Sequence, residues 1–115
     1  TLRSAVDRPA LEAAWLDLTR DRLPKLAAEA GDWPIRFDHC FMRVCLDHAV
    51  GGCWYDHIDR KKGPAYRVAS DEVLARAVSV ARRIETGGKE ALEPLNRQSL
   101  VWRGKLPVEA GPKRR

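Results

Sequence analysis

Apolar side chains recur every three or four residues along most of this chain, and this spacing is the feature that most restricts its fold. It is the period of one face of an α-helix, whereas a half-buried β-strand alternates apolar and polar residues every two positions. No segment shows a sustained two-residue alternation between turn residues. The sequence therefore predicts an all-α fold, a compact bundle of four to five helices in a single domain.

Capping and breaking residues divide the first part of this pattern into two helices. Asp7 is suited to cap a first helix that carries Pro9 in its first turn. Pro24 has no backbone N–H to donate, so it predicts either a kink in this helix or the start of a second short one. Gly31 then predicts the end of the helical segment.

A central helix is predicted over residues 33–50, with Asp32 as its cap and Gly51 at its end. Apolar residues cover most of its circumference, so we expect neighbouring helices to surround it. Arg43 and Asp47 lie four residues apart and are expected to pair. One narrow polar stripe is expected to remain, formed by Arg36, His39, Arg43 and Asp47.

The second half of the chain predicts two more helices. Ser70 is a strong cap for a helix that ends before Gly87 and Gly88, and a last helix is expected over residues 89–103. Between them and the central helix, the pattern predicts a short helical turn over residues 53–58 and an exposed loop over residues 59–66. We expect one helical domain over residues 1–105 and a flexible basic tail over residues 106–115.

Composition narrows the class of protein. The chain has 115 residues, of which 44% are hydrophobic and 32% charged, and no apolar run reaches the roughly 18 residues that a membrane-spanning helix needs. Its first ten residues lack the apolar stretch of a signal peptide, and its three cysteines are an odd number. We therefore expect a cytoplasmic protein with reduced thiols that does not act at a membrane.

Each of the three histidines follows an aspartate, and the pairs are spaced nine residues apart: Asp38-His39, Asp47-His48 and Asp56-His57. A carboxylate can orient an imidazole for metal binding or for activating a nucleophile. Neighbours in a helix point apart, however, and His39 and His48 face nearly opposite sides of one helix. Convergence of the pairs therefore depends on the turn at Gly51 and Gly52.

That turn allows two chemical hypotheses. Cys45, His48, Cys53 and His57 have the right ligand types for zinc, although their spacing matches no compact zinc motif. Alternatively, Cys53 follows two glycines at a predicted helix start, where the helix dipole favours an activated thiol. An enzyme of either kind would use His48, Cys53 and His57 as reacting groups, with Asp56 or Asp47 orienting an imidazole.

Positive charge is concentrated in the second half of the chain. Residues 1–59 carry seven Lys or Arg against ten Asp or Glu, whereas residues 60–115 carry fourteen against six. Such a surface suits nucleic acid or another polyanion, with Tyr66 available to stack on a base. The residues expected to make these contacts are Arg60, Lys61, Lys62, Tyr66, Arg67, Arg76, Arg82 and Arg83.

Three functional hypotheses follow from these patterns. The leading one is a small helical binding or accessory module that contacts nucleic acid through its basic half. The alternative is an enzyme or metal protein that uses residues 37–57. A third is a protein-interaction domain or homodimer. Phosphate-binding loops, dinucleotide folds, metalloprotease helices and hydrolase elbows lack their motifs in this sequence.

Overall fold

The computed structural model describes residues 7–106, which are mostly helical and contain no β-strand. The all-α prediction is confirmed. The predicted tail lies outside the described residues from position 107 onwards. The helices are α1 (Arg8–Leu16), α2 (Leu23–Ala30), α3 (Asp38–Val50), α4 (Ala65–Val68) and α5 (Asp71–Trp102), and two short 3₁₀ turns cover Trp54–Asp56 and Arg60–Lys62.

The first two helices follow the predicted boundaries. Asp7 caps α1 by accepting a hydrogen bond from the Ala10 backbone N–H at 3.2 Å. Pro24 lies in the first turn of α2, and the chain enters that helix through a π-helical segment, Asp17–Arg22. In an α-helix the pyrrolidine ring of a proline clashes with the carbonyl four residues back, and the π-helical segment, whose hydrogen bonds span five residues instead of four, lies directly ahead of Pro24. α2 ends at Gly31, whose φ is 81°.

The central helix α3 is shorter than predicted, because it begins at Asp38 and Asp32 does not cap it. Pro34 disfavours helical backbone at Trp33, which instead packs edge-on against Phe41 at a centroid distance of 6.1 Å. The Asp32 carboxylate lies 3.4 Å from Lys89 Nζ. The predicted end is confirmed, since Gly51 closes α3 with a φ of 77°.

The two predicted C-terminal helices are present as two helical arms that meet at a non-helical break at Gly88, and together they make up α5. Ser70 caps it as predicted, accepting from the Val73 N–H at 3.1 Å. Gly88 has φ 66° and ψ −148°, a non-helical conformation that L side chains rarely adopt. We call residues 71–87 the N-terminal arm and residues 89–102 the C-terminal arm.

The core lies mainly between α3 and α5, and α1 and the π-helical segment close one side of it. Its largest fully buried apolar side chains come from all of these elements: Trp15, Leu18, Leu23, Phe41, Val44, Leu46, Leu74, Ile84 and Leu92. No helix within residues 7–106 is long and apolar enough to cross a membrane. α3 and α5 therefore set the positions of the polar groups described next.

Arg8 fastens the start of α1 to the junction between α4 and α5. Its guanidinium donates to the carbonyl oxygens of Tyr66 at 2.9 Å and Ala69 at 2.7 Å. The same group pairs with the Asp71 carboxylate at 2.7 Å, and this hydrogen bond raises the pKa of Arg8. Arg8 thus links α4 to the first turn of α5.

Candidate functional site

A short turn within the described residues displays three consecutive cations. Arg60–Lys62 forms a 3₁₀ turn, so the predicted loop contains local helical structure. Asp59 caps the turn by accepting from the Lys61 backbone N–H at 2.9 Å. The three side chains are exposed to solvent. The turn therefore presents concentrated positive charge on a defined backbone.

This turn borders a pocket of about 510 Å³ at the start of α5. Lys62 and Arg76, both predicted to contact an anion, line it together with His57. Three valines and their apolar neighbours form much of the remaining wall. The full lining is Val50, His57, Ile58, Asp59, Lys62, Val68, Ala69, Ser70, Val73 and Arg76. We call this space the His57 pocket.

Arg76 is fixed in place at the edge of the His57 pocket. Its Nε donates to the carbonyl oxygen of Ala49 at 3.0 Å, which satisfies an unpaired acceptor in the last turn of α3. Its Nη1 lies 3.1 Å from a Glu72 carboxylate oxygen, and both side chains are more than half exposed. Arg76 thus joins α3 to α5 as well as lining the pocket.

Four of the predicted contact residues have neither a carboxylate within ion-pair distance nor an aromatic ring contact among residues 7–106: Lys61, Lys62, Arg82 and Arg83. All four are exposed. Arg82 and Arg83 also line a shallow hollow of about 470 Å³ farther along the N-terminal arm. Their charges are therefore available to a partner in solution.

Tyr66 is less available for base stacking than the sequence suggested. It is half-buried and packs against the core. Its hydroxyl accepts a hydrogen bond from Arg67 Nε at 3.4 Å, and this contact raises the pKa of Arg67. The exposed large aromatic side chains of the described residues are Phe37 and Tyr55. Tyr55 lies under the Arg60 guanidinium, whose central carbon is 3.8 Å from the ring centroid.

A buried polar cluster, which helix periodicity does not predict, joins α3 to the C-terminal end of α5. Asp47 is fully buried rather than part of a solvent-facing stripe. It pairs with Arg103, whose Nε and Nη2 lie 2.7 and 3.0 Å from its two carboxylate oxygens. It also accepts from the Ser99 hydroxyl at 2.6 Å and from the Trp54 backbone N–H at 2.9 Å. The hydrogen bond to Asp47 raises the pKa of Arg103.

Arg43 belongs to the same cluster but does not hydrogen-bond to Asp47, contrary to the predicted local pair. Its guanidinium donates to Ser99 Oγ and to Asn96 Oδ1, both at 2.7 Å. Desolvation lowers the pKa of Arg43, and the nearby positive charge of Arg103 acts in the same direction. We call Asp47, Ser99, Arg103, Arg43 and Asn96 the Asp47 cluster. Its contacts span more than fifty residues, which is why helix periodicity did not reveal them.

The three Asp-His pairs do not converge. His39 is exposed and lies 3.5 Å from its neighbour Asp38. His48 directs Nε2 to the Leu95 carbonyl oxygen at 2.9 Å and its ring against Trp102, both on the C-terminal arm. His57 instead lines its pocket beside the N-terminal arm. His48 and His57, which the turn at Gly51 and Gly52 was expected to bring together, therefore lie beside different arms of α5.

The predicted zinc ligands Cys45, His48, Cys53 and His57 are correspondingly not gathered. No group of three or more His, Cys, Asp or Glu side chains within residues 7–106 is placed to hold a metal ion. Cys45 is fully buried, and burial raises the pKa of its thiol. His48 is held by the backbone of α5. The four residues that the zinc hypothesis requires therefore do not form one site.

Cys53, the predicted reactive thiol, is half-buried and precedes the 3₁₀ turn Trp54–Asp56. The predicted helix start is thus a turn of only three residues, too short to provide the dipole of a full helix. Asp56, the proposed orienting carboxylate, lies exposed in this turn. The thiol hypothesis stays a prediction that chemical labelling can test.

Comparison with protein-family models, with curated proteins and with solved structures found no match to this chain.

Proposed function

We propose that this chain is a small helical accessory module that binds nucleic acid through a basic surface. We define the basic surface as the exposed cations Arg60, Lys61, Lys62, Arg67, Arg76, Arg82 and Arg83. The observation that carries the proposal is the lack of carboxylate partners for six of them, all except Arg76, within residues 7–106. The phosphates of a nucleic-acid backbone supply the missing anions, and the counterions of the nucleic acid are released when these cations bind it.

Rigid placement of part of this surface favours a specific contact over diffuse attraction. Arg76 is held by the end of α3, and Lys61 sits in a capped turn. Arg76 and Arg83 lie seven residues apart on one helical arm, which corresponds to about 10 Å along its axis. Cations held at fixed spacing lose less conformational entropy on binding phosphates than cations on a flexible segment.

The test is a fluorescence-anisotropy titration of labelled oligonucleotides of about twenty nucleotides, as single- and double-stranded DNA and RNA, at about 50 mM salt. We expect binding that weakens steeply as salt is added. The charge-reversed double variant Lys61→Glu/Lys62→Glu is expected to lose at least about tenfold in affinity, since it replaces two phosphate contacts with repulsion.

The matched control is Arg20→Glu/Lys25→Glu, which makes the same change in net charge at exposed positions near the start of α2. It should retain most of the affinity, because it leaves the basic surface intact. Absence of binding to all four nucleic acids at low salt contradicts the proposal. Equal losses in the two double variants also contradict it, because net charge alone would then explain the binding.

A further inference from the structure

The His57 pocket combines an apolar wall with a set of nitrogen donors, and a phosphate-binding surface by itself needs only the donors. Val50, Val68 and Val73 supply half-buried apolar surface. His57, Lys62 and Arg76 supply nitrogen donors from three different elements of the fold. Its volume of about 510 Å³ lies within the range of small-molecule sites and exceeds the needs of one phosphate group.

From this combination we infer that the pocket accepts one unpaired nucleotide of a single strand, an inference that rests on the proposed function. The base would lie against the three valines, and the phosphate would contact Lys62 and Arg76. Arg76 Nε is already held by the Ala49 carbonyl oxygen, and a phosphate would compete with the exposed Glu72 carboxylate for Nη1. Asp59, the carboxylate in the lining, accepts a hydrogen bond from the Lys61 backbone N–H.

Single-strand selectivity follows from placing a base inside the pocket. A base in a duplex is stacked and paired, and placing it in a pocket requires its extrusion from the helix. A base in a single strand avoids most of that cost. Electrostatics alone favours the opposite order, because a duplex has the higher density of phosphate charge. A preference for single strands therefore separates occupation of the pocket from simple attraction to the basic surface.

The experiment compares the affinities of a single-stranded DNA and of the duplex of the same sequence and length. We expect the single strand to bind about tenfold more tightly, because a base that lies against the valines removes apolar surface from water. Val73→Trp fills the pocket and should abolish this preference while leaving duplex binding unchanged. Val101→Trp makes the same substitution at a half-buried valine of the C-terminal arm, outside the pocket, and should leave the preference intact.

Circular dichroism establishes whether each variant is folded, and competition on the unmodified protein decides the case if Val73→Trp is not. Adenosine monophosphate should displace the bound single strand at a lower concentration than inorganic phosphate does. Equal or tighter duplex binding overturns the inference, as does a folded Val73→Trp that keeps the preference or equal competition by the two anions. In each of these outcomes the proposed function survives, whereas failure of both strands to bind at low salt removes it.

Discussion

The Asp47 cluster and the basic surface both contain several cations, but they differ in what faces those cations. In the cluster, Arg103 meets a fully buried carboxylate and Arg43 meets two neutral oxygens, all at 2.7 to 3.0 Å. On the basic surface, Lys61 and Lys62 face solvent, without a carboxylate partner among residues 7–106. The partners of a cation, rather than its sequence neighbours, therefore distinguish the structural role of Arg103 from the binding role that we propose for Lys61 and Lys62.

This difference has opposite consequences for stability and for binding. A buried charge that loses its partner retains its desolvation penalty, so the folded state is weakened strongly. An exposed lysine that is removed leaves nothing unsatisfied. Variants of the cluster should therefore change the free energy of unfolding, and variants of the basic surface should change affinity for a polyanion.

The largest effect is expected for Asp47→Ala, which leaves Arg103, the Ser99 hydroxyl and the Trp54 N–H without their shared acceptor. We expect the free energy of unfolding to fall by about 3–5 kcal/mol, as measured by urea denaturation at neutral pH.

Asp38→Ala is the matched control, because it makes the same substitution on the same helix at a side chain that is 51% exposed. Its expected loss is about 0.5 kcal/mol, the size of an exposed carboxylate's interaction with a helix start. If the two variants lose similar amounts, the Asp47 cluster does not stabilise the fold in the way described.

A smaller effect is expected for Arg8→Ala. This change removes the charged donor from the Tyr66 and Ala69 carbonyl oxygens and breaks the pair with Asp71. The free energy of unfolding should fall by about 2 kcal/mol, since these are charge-assisted hydrogen bonds at a partly buried site. Arg20→Ala, at an exposed position of the π-helical segment, should be nearly neutral in the same assay. A neutral Arg8→Ala would show that α4 is held by apolar contacts alone.

A third prediction concerns pH. Burial raises the pKa of the Cys45 thiol in the folded protein, whereas the thiol of the unfolded chain ionises near pH 8.5. Above pH 8.5 the thiol stays protonated in the folded state and loses its proton in the unfolded state. The free energy of unfolding therefore falls as the pH rises through and beyond 8.5. We expect this thiol to account for a loss of about 1 kcal/mol between pH 8.5 and 9.5. Cys45→Ala should remove that increment, and an unchanged pH profile would contradict the assignment.

The smallest effect on stability is expected for Lys61→Ala/Lys62→Ala. Neither side chain has a carboxylate partner within the described part of the chain, so the free energy of unfolding should stay within about 0.5 kcal/mol of the unmodified value. A loss comparable to that of Arg8→Ala would mean that the turn at Arg60–Lys62 has a structural role.

Local patterns predicted the features that local physics determines. The caps Asp7 and Ser70 and the helix ends at Gly31 and Gly51 stand where their side-chain or backbone chemistry places them. The start of α3 was wrong by five residues, because Trp33 is held by packing on Phe41 rather than by helix propensity. Short-range capping and glycine geometry act within a few residues and are therefore readable in one sequence.

The polar contacts across the core were not readable in that way. Arg43 and Asp47 have ideal spacing for a pair on one helix, yet Arg103, 56 residues from Asp47, provides the pairing guanidinium. The Asp-His repeat likewise places His48 and His57 against different arms of α5. Helix periodicity gives the face that a side chain occupies, but the element packed on that face determines its partner. The exposure of the basic residues was easier to predict, because cations without a partner within the fold stay in water.

The salt dependence of nucleic-acid binding shows whether Lys61 and Lys62 contact phosphates. For the unmodified protein and for Lys61→Ala/Lys62→Ala, the logarithm of the association constant is plotted against the logarithm of the salt concentration. If both lysines contact phosphates, the double variant should bind more weakly and its slope should be shallower by about two units. Unchanged slope and affinity would contradict the claim that these unpaired cations form the interface.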